Sequence, residues 1–213
     1  MTTVVATGAQ LRELIAAERR GLADALAELP ASSWEAPTLC TGWRVRELIA
    51  HQTMPFRYST PRFLTELARS GGRFHRMADR VARRDAVMTP AELFSALRDN
   101  AEFPWKPPGG GFEGALTHDV VHGLDFTVPL GLGRRVSAEA LAVVLPNVAT
   151  PGTLKHFDVD LTDIELRAED MDWSYGTGQV VSGSAQELLL VMCGRRLPAG
   201  SLRGDAAPRF TTT

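Results

Sequence analysis

Apolar residues recur at helical spacing through the first 130 positions of this chain. Leu11, Ile15, Leu22, Leu26 and Leu29 share one face of a helix predicted over residues 8–29, and Pro30 ends it. Residues 31–42 read as a turn-rich connector carrying Trp34, Pro37 and Cys40. Thr41 is the expected N-cap of a second helix beginning near Trp43, on which Val45, Leu48, Ile49, Gln52 and Phe56 form a stripe. Pro55 and Pro61 predict a kink or break there. Residues 62–86 are Arg-rich and read as a helical stretch with a solvated face. Thr89-Pro90-Ala91-Glu92 combines an N-cap threonine, a first-turn proline and a glutamate three residues on, and starts a helix reaching about Asn100. Pro107-Pro108-Gly109-Gly110-Gly111 cannot continue a helix. Another helix is expected from about Phe112 to Val128, closed by Pro129-Leu130-Gly131-Leu132-Gly133. This part reads as an antiparallel bundle of four main helices.

After Gly133 the texture changes. Ser137 to Leu145 reads as helix, Ile164 to Ala168 alternates like a strand, and Gln179 to Ser182 does so less clearly. Gly176 and Gly178 fall in a turn between these strands. Ser184 to Cys193 reads as a short apolar helix with Gly194 as its C-terminal cap. The expected class is α+β, with a helical bundle over residues 1–132 and a small α+β domain over 133–213. The Thr211-Thr212-Thr213 end is expected to be loose.

Composition narrows the function. With 44% hydrophobic and 23% charged residues and a formal net charge of -2, the chain offers no electrostatic case for nucleic acid or an anionic membrane. Its cations are almost all arginine, with only Lys106 and Lys155 as lysines, which reads as the imprint of a GC-rich genome. No apolar run is long enough to span a bilayer, and Met1 to Ala6 lacks the pattern of a signal peptide. Cys40 and Cys193, without CxxC spacing, read as reduced thiols of a cytoplasmic protein.

The candidate chemistry lies in Thr117-His118-Asp119-Val120-Val121-His122-Gly123-Leu124-Asp125. His118 and His122 leave the same face of a helix, so their imidazoles can share one divalent metal ion. The best third ligand is His51, at the border of the second helix's stripe. Three neutral imidazoles would leave an open fourth position, with zinc the default ion and nickel or iron the alternatives. Asp125, one turn beyond His122, either orients an imidazole or faces solvent. Asp119 lies further round. A histidine pair at this spacing is more often structural than ligating, and His51 alone reads equally as a packed or capping residue. His75 and His156 read as surface or structural residues, Trp34, Trp43 and Phe56 as core, and Cys40 as a small buried residue or, less often, a metal-adjacent thiol.

Thr38-Leu39-Cys40-Thr41-Gly42-Trp43-Arg44-Val45-Arg46-Glu47-Leu48-Ile49-Ala50-His51 resembles the T-x-C-x-G-W-x-V-R-D-L-x-A-H signature of the mycothiol-dependent maleylpyruvate isomerase family, within the DinB-like metalloproteins. His122-Gly123-Leu124-Asp125, followed by Pro129-Leu130-Gly131, resembles that family's second signature. A weaker likeness runs through Asp172 to Gly178, Val181 to Ala185, Leu188 to Leu190 and Gly194-Arg195. The resemblance implies a DinB-like four-helix bundle with a divalent metal on His51, His118 and His122, and mycothiol as cosubstrate. The implied reaction is thiol transfer to an electrophile, or its cis–trans isomerisation. Arg195, on the Gly-Arg motif, would hold a carboxylate of thiol or substrate, or cap the preceding helix. The isomerase itself carries a glutamate where His118 stands. That departure preserves ligation and removes a negative charge. The competing readings are a non-catalytic metal- or small-molecule-binding bundle, and a metal-dependent hydrolase with Asp125 or Asp119 as base.

Overall fold

The computed structural model describes residues 6–212. Met1 to Val5, on which the signal-peptide expectation falls, and Thr213 lie outside them. Ten α-helices and a three-stranded sheet occur among the described residues, an α+β fold. Two compact units divide the chain, Met1–His122 and Gly123–Thr213.

The N-terminal unit is helical. Helix α1 (Gly8–Ala27) starts at Thr7, whose hydroxyl accepts from the Gln10 N–H while the Gln10 side chain accepts from the Thr7 N–H. Its inward face holds Leu11, Ile15, Leu22 and Leu26, as the spacing predicts, with Arg19 fully buried among them. The second helix is broken: α2 (Val45–Gln52) stops at Thr53, and α3 (Met54–Arg57) is a single turn. Pro55 sits in the first turn of α3, where its missing N–H costs nothing. The Arg-rich stretch forms two helices, α4 (Thr60–Arg69) and α5 (Phe74–Asp85), separated at Gly71 and Gly72. Helix α6 (Pro90–Arg98) has the expected capping box between Thr89 and Glu92. Helix α1 packs on α6, α2 on α5 and α6, and α4 on α5. Helix α7 (Gly111–Thr127) begins in the N-terminal unit and carries its last two histidines.

The α4–α5 face is more than a solvated surface. Arg80 and Arg84 converge on the buried Glu66 at 2.5 and 2.8 Å, while Arg83 pairs with Asp79 at 2.9 Å. The hydrogen bonds from Arg84 and Arg80 outweigh burial and hold the Glu66 carboxyl down at about 2.

In the C-terminal unit, α8 (Ala138–Val148) and α10 (Ala185–Met192) pack together, and α10 also covers β1 (Ile164–Ala168) and β3 (Gln179–Gly183). Seven of the eight α10 residues are buried, so its apolar surface runs nearly all round. Gly194 ends it in left-handed conformation, with the Arg195 N–H on Leu190 O at 3.0 Å. Two elements escaped the sequence reading: α9 (Pro151–His156) and β2 (Ser174–Gly176). The sheet order is β2-β1-β3, with β2 antiparallel and β3 parallel to β1. Thr177 and Gly178 therefore carry the chain across the start of β1, from one edge to the other. At Gly178 (φ +128°) an added Cβ would lie 2.2 Å from Asp163 O. Thr212 is tied down, contrary to expectation, because its N–H donates to Leu197 O at 2.7 Å, while Thr213 lies outside the described residues.

Two predictions follow from this packing. Gly178→Ala should lower stability in urea denaturation by at least the ~1–3 kcal/mol of a disfavoured backbone, since the close approach to Asp163 must also relax. Glu66→Gln should be less stable than the parent at pH 7. The Glu66 carboxyl is depressed from 4.5 to about 2, so its contribution is present above about 4.5 and disappears as pH falls through about 2. The same melts repeated at pH 2 should show the difference closing.

Candidate metal centre

The segment ahead of α2 explains its residue types. The Thr38 hydroxyl donates to Trp43 O at 2.9 Å and accepts from the Cys40 N–H at 3.2 Å. The Trp43 N–H closes on Cys40 O at 3.0 Å, and Gly42 supplies the positive φ (+81°) this turn requires. The turn displaces the start of α2 to Val45, with Arg44 rather than Thr41 at the N-cap and its N–H on the Glu47 carboxylate at 2.9 Å. It also fixes Trp43. The indole N–H donates to Asp79 at 2.9 Å, and the ring packs 5.0 Å from His51, in the last turn of α2.

His51, His118 and His122 converge. A ring nitrogen of each lies within 4.8 Å of the others. Ring centroids are 5.4 Å apart for His51–His118, 5.1 Å for His51–His122 and 4.7 Å for His118–His122. Metal–nitrogen bonds of ~2 Å at tetrahedral angles put the centroids of three ligating imidazoles about 5 Å apart, so the rings already stand at ligating separation. The three donors are neutral and borderline-soft, a set suited to zinc and its neighbours. His51 is buried, whereas His118 and His122 are half-buried, so what solvent access the cluster has is on their side. Trp105 packs 5.0 Å from the His118 ring.

Asp119, which the helical wheel places further round than Asp125, is the residue beneath this cluster. It is fully buried, accepts from Arg19 Nε at 2.7 Å, and holds His118 Nδ1 at 3.0 Å. Burial pushes its carboxyl up, but the His118 hydrogen bond and the Arg19 charge outweigh this and keep it below the usual carboxylate range. A neutral His118 donating from Nδ1 turns the lone pair of Nε2 outward, as a metal ligand needs. The readable signal was Arg19, a charge set in the apolar stripe of α1 between Ile15 and Leu22.

Asp125 and Arg195 are brought together, in the C-terminal unit. Asp125 is fully buried and accepts two parallel bonds from Arg195, each 2.9 Å. A third Arg195 bond goes to Cys193 O at 2.7 Å. The guanidinium thus serves both an internal carboxylate and the end of α10. His75 and His156 are exposed, Trp34 is core, and Phe56 lies under the Arg19 guanidinium at 4.7 Å.

Neither cysteine forms a disulfide. Cys40 is half-buried, its sulfur 3.8 Å from His122 Nδ1. Cys193 is 1% exposed, and burial pushes its thiol up to about 12, with Asp125 adding to the rise and Arg195 opposing it. A thiol-reactive dye should therefore titrate one cysteine rapidly in the native protein, and that one should map to Cys40. Cys193 should react only on denaturation; prompt labelling of both would contradict the burial.

Residues 15–102 match the family model of the mycothiol maleylpyruvate isomerase N-terminal domain, a stretch that takes in His51 and stops short of His118 and His122. The fold is similar to a crystal structure of mycothiol-dependent maleylpyruvate isomerase, at a TM-score of 0.59 and 14% identity over 95% of this chain and 94% of that one. A histidine-to-alanine mutant of the isomerase superposes with a TM-score of 0.58 at 14% identity, with the same coverage. At such identity the likeness is one of fold. No curated protein matches the chain. Among the described residues no helix is long and apolar enough to cross a membrane.

Proposed function

We propose that this chain, which belongs through its residues 15–102 to the mycothiol maleylpyruvate isomerase family, is a divalent-metal-dependent enzyme that uses a low-molecular-weight thiol of the mycothiol type. Its substrate is an electrophile, to which the thiol is transferred or which is isomerised from cis to trans. The observation that carries the reading is the three-imidazole cluster, with centroids 5.4, 5.1 and 4.7 Å apart.

In this reading His51, His118 and His122 hold one ion, most simply zinc. The bound ion would supply Lewis acidity, lowering the pKa of a thiol at the open position. The protein's residues do the rest. Asp119 keeps the proton of His118 on Nδ1, and Trp43 and Trp105 wall the His51 and His118 rings. The thiolate is the attacking species, since the protonated thiol is a poor nucleophile. Addition to one carbon of an electron-poor double bond leaves a single bond free to rotate. Expulsion of the same thiolate then restores the double bond in the trans geometry. Protonation of the adduct instead completes thiol transfer. Arg195, pre-oriented by Asp125, is the candidate for a substrate or thiol carboxylate, and the pair is proposed to act as a unit. A reaction consuming a free thiol suits a reducing compartment, in keeping with two cysteines outside any disulfide, and we assign the protein to the cytoplasm.

Hydrolysis by bound water is the less favoured chemistry. Asp119 and Asp125 are each committed to an arginine, so neither carboxylate is disposed to act as base.

Elemental analysis after reconstitution should find about one equivalent of divalent transition metal in the parent and little in His122→Ala. The loaded parent, mycothiol and a panel of electrophiles including cis-enedioyl acids should give conjugates or trans isomers. Turnover without thiol would point to hydrolysis. Metal uptake without turnover would leave a binding module, and negligible metal in both proteins would remove the site.

A further inference from the structure

We propose that Arg19 is a positioning residue for His118, acting through Asp119. The inference rests on reading His118 as a ligand and assigns to α1 a part in the site that α2 and α7 alone do not reveal.

Arg19 has no exposure to solvent. Its Nε donates to Asp119 Oδ2 at 2.7 Å, which leaves Oδ1 to meet His118 Nδ1 at 3.0 Å. One oxygen serves each partner, and the guanidinium sets the rotation of the carboxylate about its last side-chain bond. Arg19 is itself held against turning. Its Nη1 is shared among the carbonyl oxygens of Asn100 and Ala101, each at 3.3 Å, and Phe103 at 2.8 Å. The guanidinium also lies 4.7 Å from the centre of the Phe56 ring. The carbonyls on Nη1 belong to the segment that leads to Trp105, and the Trp105 N–H is bonded to Phe103 O at 2.8 Å. The Trp105 ring packs against His118. Arg19 therefore reaches His118 along two routes, through Asp119 to its ring nitrogen and through the 100–103 backbone to its aromatic wall.

A lysine would not do the same. An ammonium presents no planar fork, and cannot match a carboxylate on one edge and a row of carbonyls on another. An imidazole's tautomer is decided by the hydrogen bond one of its nitrogens makes. A carboxylate locked toward Nδ1 selects the form whose Nε2 lone pair is available. Loss of such an orienting partner behind a ligating histidine typically weakens metal binding about 10–100-fold.

The test uses the full chain in four forms: parent, Arg19→Met, Asp119→Asn and the double variant. Long-range proton–nitrogen NMR of the metal-free proteins reads the His118 tautomer directly, and chelator competition reads zinc affinity. In the parent His118 should be protonated at Nδ1. In each single variant it should become a mixture, with zinc binding about 10–100-fold weaker. The double variant should bind zinc no worse than Asp119→Asn, because Arg19 acts through the carboxylate. A folded Arg19→Met protein with parental tautomer and affinity would overturn the proposal and leave a purely structural ion pair. So would a double variant in which the two losses simply add. Should Arg19→Met fail to fold, Arg19→Lys removes the fork while keeping the charge, and the same two readouts decide. If the parent takes up no zinc, the metal reading falls, while the tautomer comparison still decides the role of Arg19.

Discussion

Asp119 is ionised with no access to water, and the N-terminal unit is built around that demand. A buried carboxylate must be met by positive charge and N–H groups or surrender its charge. Arg19 and His118 meet it, from α1 and from α7. Arg19 in turn needs oxygen atoms, and the carbonyls of residues 100, 101 and 103 supply them. One charge thus fixes a helix, a loop and an imidazole to a common point. Losing one partner of such a pair costs about 3–5 kcal/mol, yet a well-packed apolar substitute for both can be as stable. The pair is better understood as a device of orientation than as a net source of stability.

The same pattern recurs across the chain and changes the meaning of its arginine content. Glu66, Asp85, Asp119 and Asp125 are all buried, and each is held by at least one arginine. At Asp125 the match is fork to fork, which a lysine cannot make. An excess of arginine over lysine that reads as genomic bias in composition is, at these positions, a requirement of burying carboxylates.

Much of the fold was legible. The capping box at Thr89 and the prolines around α2 and α3 are local signals, and local signals survive folding. What escaped was decided elsewhere in the chain. β2 has three residues, too few to show alternation, and exists because β1 offers it an edge. α9 is a turn and a half opened by Pro151. The three histidines were readable from spacing together with the Thr38–His51 motif. Asp119 was not, because a helical wheel gives its direction without revealing that α1 sends an arginine to meet it. The Asp125–Arg195 pair was likewise invisible as a pair, since its members are separated by most of the C-terminal unit.

The helical pair has one more consequence. His118 and His122 are presented by a single rigid segment, while His51 comes from a helix far earlier in the chain. An ion held by all three would close the long loop between α2 and α7, as a covalent cross-link would, and would remove from the unfolded chain the freedom that loop otherwise enjoys. Chemistry and architecture would then share one bond set. The atom that activates a thiol would also be a reversible clasp on the bundle, coupling how much of the protein is folded to how much metal the cell provides.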